Sequence, residues 1–221
     1  MRPLQLEQDG AELFEQALDA AELAALERTS PETSGPGVRL HGKPDLNAWL
    51  STGPIGDLCR SALGGLARPV RAILFDKTAE ANWTLGWHQD RTIVVRERVD
   101  VDGFGHWSIK AGAIHVEPPF ELLHRMVTVR IHLDPVSPGN APLLIVPGSH
   151  LLGRIEEQAI DNVVKRAEPY ACLAARGDAW LYRTAILHAS GRSEGEGRRR
   201  VLQVDFSADE LPGGLCWLGV G

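Results

Sequence analysis

The sequence predicts a single domain that is mainly β with flanking helices, and three observations support this. A chain of 221 residues with 43% hydrophobic content can bury one sizeable core. Apolar side chains recur at helical spacing in the first third of the chain. The remainder contains short runs rich in Val, Ile, Leu, Thr and aromatic residues, separated by Gly, Pro, Asp or Ser turns. Such runs are typical of antiparallel sandwiches and barrels.

The N-terminal part, residues 1–67, is predicted to be mostly helical. Its first helix, 19–29, begins with a residue suited to an N-cap. A stretch rich in Pro and Gly then predicts a break in regular structure. Two shorter helices are expected at 44–50 and Pro54–Leu63. Ser51 or Thr52 is available to cap the second of these, and its proline suits a first helical turn.

The core is predicted to extend over residues 68–221. Its strand-like runs are 69–77, 91–99, 126–134, 141–148, 170–175, 179–190 and 198–207. One helix, 154–166, is expected among them. The sequence contains no internal repeat and no low-complexity tract, so 1–221 is treated as one domain.

Charge and cysteine content exclude some classes of function. The net charge of −6 argues against a general nucleic-acid-binding role, because such domains usually carry a basic excess. No apolar run approaches the roughly 20 residues that span a bilayer. The three cysteines form neither a zinc-binding spacing nor a disulfide framework. We therefore expect a cytoplasmic protein without a membrane or nucleic-acid partner.

His88 and Asp90, in the segment LGWHQDRTIVV, have the spacing of two metal ligands. Residues i and i+2 of a strand point to the same face, so this imidazole and carboxylate could bind one metal ion together. A second, distant histidine would complete the ligand set that is typical of non-haem Fe(II) oxygenases. The spacing alone is not specific, because two further pairs occur, which we interpret as structural: His115 with Glu117, and His132 with Asp134.

His188 meets the requirement for a distant histidine. It ends a strand-like run, and a polar loop then leads into another strand. Because adjacent strands lie about 5 Å apart, that strand is expected to return Arg199 close to the metal. Ser190 is expected to point the same way as His188 if the strand continues that far. An arginine and a hydroxyl beside a metal suit a chelating dicarboxylate, whose far end the arginine would bind.

At these residues the sequence resembles the phytanoyl-CoA dioxygenase family of Fe(II)- and 2-oxoglutarate-dependent oxygenases. The matching motifs are GWHQD (86–90), VPGSH (146–150), LHASGRS (187–193), the RRRVL strand start and the lysine-bearing LFDK (74–77). The resemblance extends from the EQDG motif at Glu7 to about Ser207. It implies a double-stranded β-helix core, also called a jelly roll, of the cupin-like type.

The resemblance also implies a role for each matching residue. His88, Asp90 and His188 would bind Fe(II), and Arg199 would bind the C5 carboxylate of 2-oxoglutarate. Ser190 would assist Arg199. Lys77 occupies a place where family members often have a lysine that contacts the co-substrate. The implied co-substrates are 2-oxoglutarate and O₂.

Four residues are candidates for the substrate pocket. Arg130 stands where many members have a tryptophan, and it either binds an anionic group or is a paired arginine on the outer face. Asn82 and Trp83 precede the metal-binding segment and are candidates for the pocket floor, although Trp83 also fits a core aromatic. Thr92 shares the predicted strand face of the metal pair.

The resemblance implies an enzyme that hydroxylates an unactivated C–H bond of a small metabolite, with release of succinate and CO₂. Asp90 supplies the carboxylate that related halogenases lack, so hydroxylation or another oxidation is favoured. Two alternatives stay open: a cupin-like metal enzyme that does not use 2-oxoglutarate, and a non-catalytic jelly roll that binds a ligand. The sequence determines neither the substrate nor the oligomeric state.

Overall fold

The computed structural model describes residues 2–29, 35–78, 82–193 and 198–221, with residues 35 and 36 as backbone. The helices are α1 Leu6–Asp9, α2 Ala20–Thr29, α3 Pro44–Thr52, α4 Pro54–Leu63, α5 Phe120–His124 and α6 Glu157–Arg166. The strands are β1 Ala11–Phe14, β2 Gly35–Leu40, β3 Arg68–Lys77, β4 Leu85–His88, β5 Ile93–Val95, β6 Gly105–Lys110, β7 Ala113–Glu117, β8 Val127–His132, β9 Leu143–Ile145, β10 Tyr170–Cys172, β11 Ala179–Arg183, β12 His188–Ser190 and β13 Arg199–Ser207. In the described residues, no helix is both long and apolar enough to cross a membrane.

The strands form the predicted double-stranded β-helix. The large sheet has the order β1-β11-β8-β13-β3-β2 and the small sheet has the order β10-β9-β12-β4, with antiparallel pairing throughout. A third sheet, β5-β7-β6, adds to them. Leu143 and Ile145 of the small sheet pack with Trp180 and Tyr182 of the large sheet, so the two sheets enclose an interior.

Alternation along the large sheet separates an apolar face from a polar one. On β8, Val129 and Ile131 belong to the main core, together with apolar residues of helices α2, α3 and α4. Arg130 and His132 point to the opposite face, although both are buried. The same alternation on β3 and β13 places polar side chains inside the double-stranded β-helix. The helices therefore cover one face of the sheet, and the other face is free to build a site.

The predicted helices are present, with one correction to their caps. Asp19 caps α2 as predicted, since its Oδ1 accepts hydrogen bonds from the amides of Ala21 and Glu22 at 2.8 Å. The N-cap of α4 is Gly53, not Ser51 or Thr52. Those two hydroxyls donate instead to carbonyl oxygens one turn earlier in α3, which extends further than predicted.

Several strand boundaries differ from the prediction. The run 91–99 forms a strand only at Ile93–Val95. The run 179–190 divides into β11 and β12, which lie in different sheets, because a turn with an Ile186 amide to Arg183 carbonyl hydrogen bond separates them. No Gly or Pro marks this turn. Strand β2 forms within the stretch where a break was predicted; it lies at the edge of the sheet, where Gly and Pro are tolerated.

Candidate metal centre

His88, Asp90 and His188 converge in the interior, next to the small sheet. His88, the last residue of β4, is paired with His188, the first residue of β12, and the two rings are 4.3 Å apart between centroids. One possible ligand atom from each of the three residues lies within 4.8 Å of the others. Within the described residues, this is the one group of three or more His, Cys, Asp or Glu side chains with such a geometry.

The backbone differs in detail from the prediction. Asp90 lies two residues beyond the end of β4, so the pair does not share a strand. His188 begins its strand instead of ending one. The side chains still converge, because antiparallel pairing places the two histidines opposite each other and the chain after His88 continues along the cavity wall.

Each histidine is oriented by the backbone carbonyl group two residues before it. The Nδ1 atom of His88 lies 2.7 Å from the Gly86 carbonyl oxygen, and the Nδ1 atom of His188 lies 3.0 Å from the Ile186 carbonyl oxygen. A carbonyl oxygen only accepts hydrogen bonds, so each Nδ1 carries the proton. Each Nε2 therefore keeps its lone pair, which is the form that binds a metal ion.

Asp90 is oriented by Arg71, which the sequence analysis did not single out. The Nη2 atom of Arg71 donates to Asp90 Oδ2 at 3.0 Å, and its Nε donates to Asp205 Oδ2 at 2.5 Å. Thr128 in turn donates to Asp205 Oδ1 at 3.0 Å. The other carboxylate oxygen of Asp90 accepts no hydrogen bond among the described residues, so it remains available to a metal ion.

Electrostatics favour the protonation states that a metal ion requires. Burial opposes ionisation of Asp90, but the charge of Arg71, with smaller effects from both histidines, lowers the pKa of this carboxyl. Burial, assisted by the neighbouring His88, lowers the pKa of His188 to about 4, so its imidazole is neutral near pH 7. Asp90 therefore presents an anion and His188 a neutral nitrogen donor.

A cavity of about 320 Å³ lies beside these three residues. It is lined by residues of both main sheets and of β6 and β7, which include Arg39, Phe75, Lys110, Leu143 and Gln203. A larger surface pocket near Pro147 and Tyr170 contains none of the predicted site residues. The interior cavity is therefore the candidate active site.

One end of the cavity is strongly cationic. Lys77, which is buried, donates to the carbonyl oxygens of Trp83 at 2.8 Å and Gly191 at 2.6 Å, and to the hydroxyl of Ser190 at 3.3 Å. Arg199 is opposite Lys77 in the β13–β3 register and is only 2% exposed. Burial, together with the charges of Arg199 and Arg130, lowers the pKa of Lys77 to about 8.

Arg199 has no acidic partner in the described part of the chain. Its Nη1 donates to the Ala141 carbonyl oxygen, and its buried Nε has no hydrogen-bond acceptor among the residues that the structure describes. Burial, with the charge of Arg130, lowers the pKa of Arg199 to about 9. The predicted path to this position was wrong: β12 and β13 are not neighbours, and Arg199 reaches the cavity from the opposite sheet.

Arg130 lies on the inner face of the large sheet, so the alternative of an outer-face arginine is wrong. It is 6% exposed, and its Nη1 donates to Gln203 Oε1 at 2.7 Å. Its guanidinium lies over the Phe75 ring, 5.3 Å from the centroid. Its Nε is buried and has no hydrogen-bond partner within the described ranges of the chain.

Of the other predicted pocket residues, two line the cavity and one does not. Trp83 lines the cavity, and its ring lies 6.3 Å from that of Phe75. Thr92 also lines the cavity, but it lies between β4 and β5, so the predicted shared strand face does not exist. Asn82 is not among the lining residues. It exchanges hydrogen bonds with the backbone of Ser193 at 2.7 and 2.9 Å, which ties the start of β4 to the segment after β12.

In the two pairs that we interpreted as structural, both acids have structural roles, but one of the histidines lines the cavity. Asp134 binds Arg200 and Glu117 binds Arg154, so both acids form ion pairs. His115, in contrast, is buried in the cavity wall, and no described residue forms a hydrogen bond with its Nε2. Burial, followed by the charge of Arg71, lowers its pKa to about 4. The interpretation of His115 as purely structural missed this position.

Residues missed by the sequence analysis had one usable signal. Arg71, Ile73 and Phe75 alternate with Lys77 along one predicted strand, and all four line the cavity. A strand whose lysine was assigned to the site therefore also indicated the arginine six residues earlier. Arg39 had no such signal, because its strand was not predicted.

Comparison with known proteins identifies the family of this chain. The family model described as phytanoyl-CoA dioxygenase (PhyH) matches residues 6–201. The chain belongs to the phytanoyl-CoA dioxygenase family. The family uses Fe(II), 2-oxoglutarate and O₂, so the chain is a non-haem iron, 2-oxoglutarate-dependent oxygenase. No curated protein matches it in sequence.

Solved structures show the same fold as this member of the phytanoyl-CoA dioxygenase family. AviO1 from Streptomyces viridochromogenes Tue57 is 18% identical with a TM-score of 0.65, and 94% of each chain is covered. EctD from S. alaskensis with 2-oxoglutarate and 5-hydroxyectoine is 16% identical with a TM-score of 0.66, covering 91% of this chain and 73% of that one. The epimerase SnoN in complex with Fe³⁺, alpha ketoglutarate and nogalamycin RO is 16% identical with a TM-score of 0.63, covering 95% and 88%.

Proposed function

We propose that this oxygenase hydroxylates a C–H bond of a small metabolite in the cytoplasm. In this proposal His88, Asp90 and His188 bind Fe(II), and Arg199 binds the C5 carboxylate of 2-oxoglutarate with help from Ser190 and Lys77. The observation that carries the proposal is the convergence of these ligand atoms in one cavity with a buried, unpaired guanidinium.

The donor set fits Fe(II). Two neutral imidazoles and one carboxylate are the ligands of non-haem iron oxygenases that leave positions open for other molecules. Both imidazoles offer Nε2, because their Nδ1 atoms donate to the backbone. Arg71 fixes one oxygen of Asp90 and leaves the other available. The residues that contact the ligands thus support the same assignment as the ligands themselves.

The cationic end of the cavity fits a dicarboxylate. A buried arginine without a carboxylate partner is costly, and an anionic ligand would remove that cost. Arg199 faces the cavity with its Nε unsatisfied, and Ser190 and Lys77 lie beside it. Structures of EctD with 2-oxoglutarate and of SnoN with Fe³⁺ and alpha ketoglutarate share the fold.

Iron, 2-oxoglutarate and O₂ together would supply the oxidising power, with succinate and CO₂ as products. The protein supplies position and environment. The backbone carbonyls of Gly86 and Ile186 hold the imidazole tautomers, and Arg71 keeps Asp90 ionised and in place. The apolar side chains of Phe75 and Leu143 help to exclude water from the cavity.

A small molecule is the best-supported substrate, because the cavity is small and interior. A cytoplasmic location is supported by the free state of all three cysteines, two of which are buried. Family membership favours this activity over a cupin-like enzyme without 2-oxoglutarate or a non-catalytic binding module.

The assignment of the metal site is tested with Asp90→Ala. We expect this variant to lose iron after anaerobic reconstitution and to stop releasing succinate, because two imidazoles alone bind the metal weakly. Iron content and succinate are measured on the same preparations. Asp102→Ala, which removes an exposed carboxylate, is the control and should behave as the wild type. Wild-type succinate release by Asp90→Ala would contradict the assignment.

A further inference from the structure

The cavity carries more positive charge than the proposed co-substrate can neutralise. Its basic lining residues are Arg39, Arg71, Lys77, Lys110, Arg130 and Arg199, and the sole acid among the described lining residues is Asp90. Arg71 is paired with Asp90 and Asp205. The other five basic residues form no ion pair with any described residue. The C5 carboxylate of 2-oxoglutarate would supply a single negative charge near Arg199.

The unpaired cations of the large sheet lie at two levels along its strands, Lys77 with Arg199 and Arg39 with Arg130. Arg199 is opposite Lys77 at one end of β3, whereas Arg39 is opposite Ile73. Four residues along a strand correspond to roughly 13 Å. The five-carbon chain of 2-oxoglutarate is shorter than this separation along the backbone, so one molecule bound at Arg199 is not expected to extend to the level of Arg39. The level of Arg39 therefore carries unpaired positive charge of its own, apart from that at Arg199.

The surroundings of Arg39 suit an anionic ligand. Its side chain is half-buried, its Nε is buried without an acceptor, and it forms no hydrogen bond with a described residue. His115, which lines the same cavity, also has a buried Nε2 without a hydrogen-bond partner among the described residues. Lys110 is exposed and lines the same cavity. These groups provide a fork of donors and an exposed cation in the cavity that also contains Asp90.

We infer that the oxidised substrate is a small anion, with a carboxylate or a phosphate group that Arg39 binds and that Lys110 and His115 assist. The inference rests on the proposed function, because it assigns Arg199 to 2-oxoglutarate and Asp90 to the metal. A planar guanidinium binds either group through two parallel hydrogen bonds. Binding there places the rest of the substrate beside the metal ligands.

The test uses protein loaded with Ni(II) and saturated with 2-oxoglutarate, so that no turnover occurs and the Arg199 end is filled. Calorimetry compares small carboxylic acids with their methyl esters, and phosphate monoesters with their parent alcohols. We expect the charged member of a pair to bind at least tenfold more tightly, and the responding series identifies the anionic group. Equal binding within pairs, or no binding by either charged series, overturns the inference. So does binding that disappears as the 2-oxoglutarate concentration rises.

Substitutions of Arg39 test whether this residue binds the anionic group. Arg39→Gln should weaken the charged compounds at least tenfold without changing their uncharged counterparts, and Arg39→Lys should retain part of the affinity. Arg166→Gln, which removes an exposed arginine at the end of α6, should have no effect. Equal losses in Arg39→Gln and Arg166→Gln overturn the inference. If Arg39→Gln does not fold, Arg39→Lys and the paired compounds on the wild type still decide.

Succinate release by wild-type protein with Fe(II) and 2-oxoglutarate is measured in parallel. Its absence contradicts the proposed function. Its presence, with no preference for charged compounds, contradicts the substrate class alone.

Discussion

At the scale of single residues, the main feature of this site is buried positive charge without an acidic partner among the described residues. Arg199 and Arg130 are almost fully buried, and neither has an acidic partner among the described residues. A buried, unpaired cation lowers stability in the free protein and increases the gain when an anion binds. The same side chains therefore decrease the stability of the empty site and favour occupied forms of it.

Arg199→Gln is expected to weaken 2-oxoglutarate binding by roughly ten- to a hundredfold. A charge-assisted hydrogen bond contributes about 1.5–3 kcal/mol, and 1.4 kcal/mol corresponds to a tenfold change in affinity. The dissociation constant of 2-oxoglutarate, measured with Ni(II)-loaded protein, gives the answer. Arg200→Gln is the matched control, because Arg200 binds Asp134 outside the cavity. Equal affinities in the two variants would remove Arg199 from the co-substrate site.

His132 is a buried histidine whose ring nitrogens form no hydrogen bond with the described part of the chain. It is 3% exposed, and neither ring nitrogen has a hydrogen-bond partner among the described residues. Burial, with the charges of Arg130 and Arg199, lowers the pKa of His132 to about 3. Between pH 6.5 and 3 the unfolded chain therefore binds a proton that the folded chain does not bind. The free energy of unfolding falls as the pH decreases through this window.

His132→Leu should remove this contribution. Between pH 7.5 and 5, the free energy of unfolding of the variant should fall less than that of the wild type, by about 1–2 kcal/mol. Urea denaturation at pH 7.5, 6 and 5 measures the difference. His41→Gln, at an exposed position, should follow the wild type. Parallel curves for His132→Leu and the wild type would show that His132 binds its proton over the same pH range in the folded and unfolded states.

At the scale of structural elements, two sequence motifs that are remote along the chain contact each other. The EQDG motif ends helix α1, and the carbonyl oxygen of Asp9 accepts a hydrogen bond from the Gly148 amide of the PGSH motif at 2.7 Å. In the same motif, Ser149 Oγ accepts from the Leu187 amide at 2.9 Å, one residue before His188. These contacts connect the N-terminus to the strand that carries a proposed metal ligand.

Gly10→Ala tests this junction. Gly10 has a φ of +79°, and an added Cβ would lie 2.3 Å from His150 Nδ1, so the substitution combines backbone strain with a clash. We expect a loss of stability of about 2–4 kcal/mol by chemical denaturation. Gly112→Ala, with a φ of +80° and open space around the Cβ, measures the backbone strain alone. If both variants lose the same stability, the packing of His150 on Gly10 contributes nothing.

For the whole molecule, the arrangement of charges predicts that ligands stabilise the fold together. Ni(II) and 2-oxoglutarate at about a hundred times their dissociation constants should each contribute up to about 2.7 kcal/mol. For a chain of this size that corresponds to a rise of roughly 5–10 °C in melting temperature. The rise is measured by thermal denaturation in the presence of each ligand alone and of both ligands together. The Ni(II)-dependent rise should be absent in Asp90→Ala; the same rise in that variant would place the metal elsewhere.

The sequence determined the type of fold and the identity of the proposed metal ligands. Alternation of apolar and polar residues marks which face of a strand is buried, so the strands around Lys77, Arg130 and Arg199 were found from local pattern. His88, Asp90 and His188 were found because a ligand set has a definite chemistry and order along the chain. Those signals are local or compositional, and a single sequence contains them.

Only the tertiary structure decided which polar side chains meet. Strand pairing depends on contacts between residues remote in sequence, so neither the position of Arg199 in the opposite sheet nor the contact of Arg71 with Asp90 follows from local pattern. Strand β2 was missed because an edge strand accepts residues that break other strands, and Arg39 was missed with it. The excess of positive charge in the cavity therefore became visible only when the sheets were assembled.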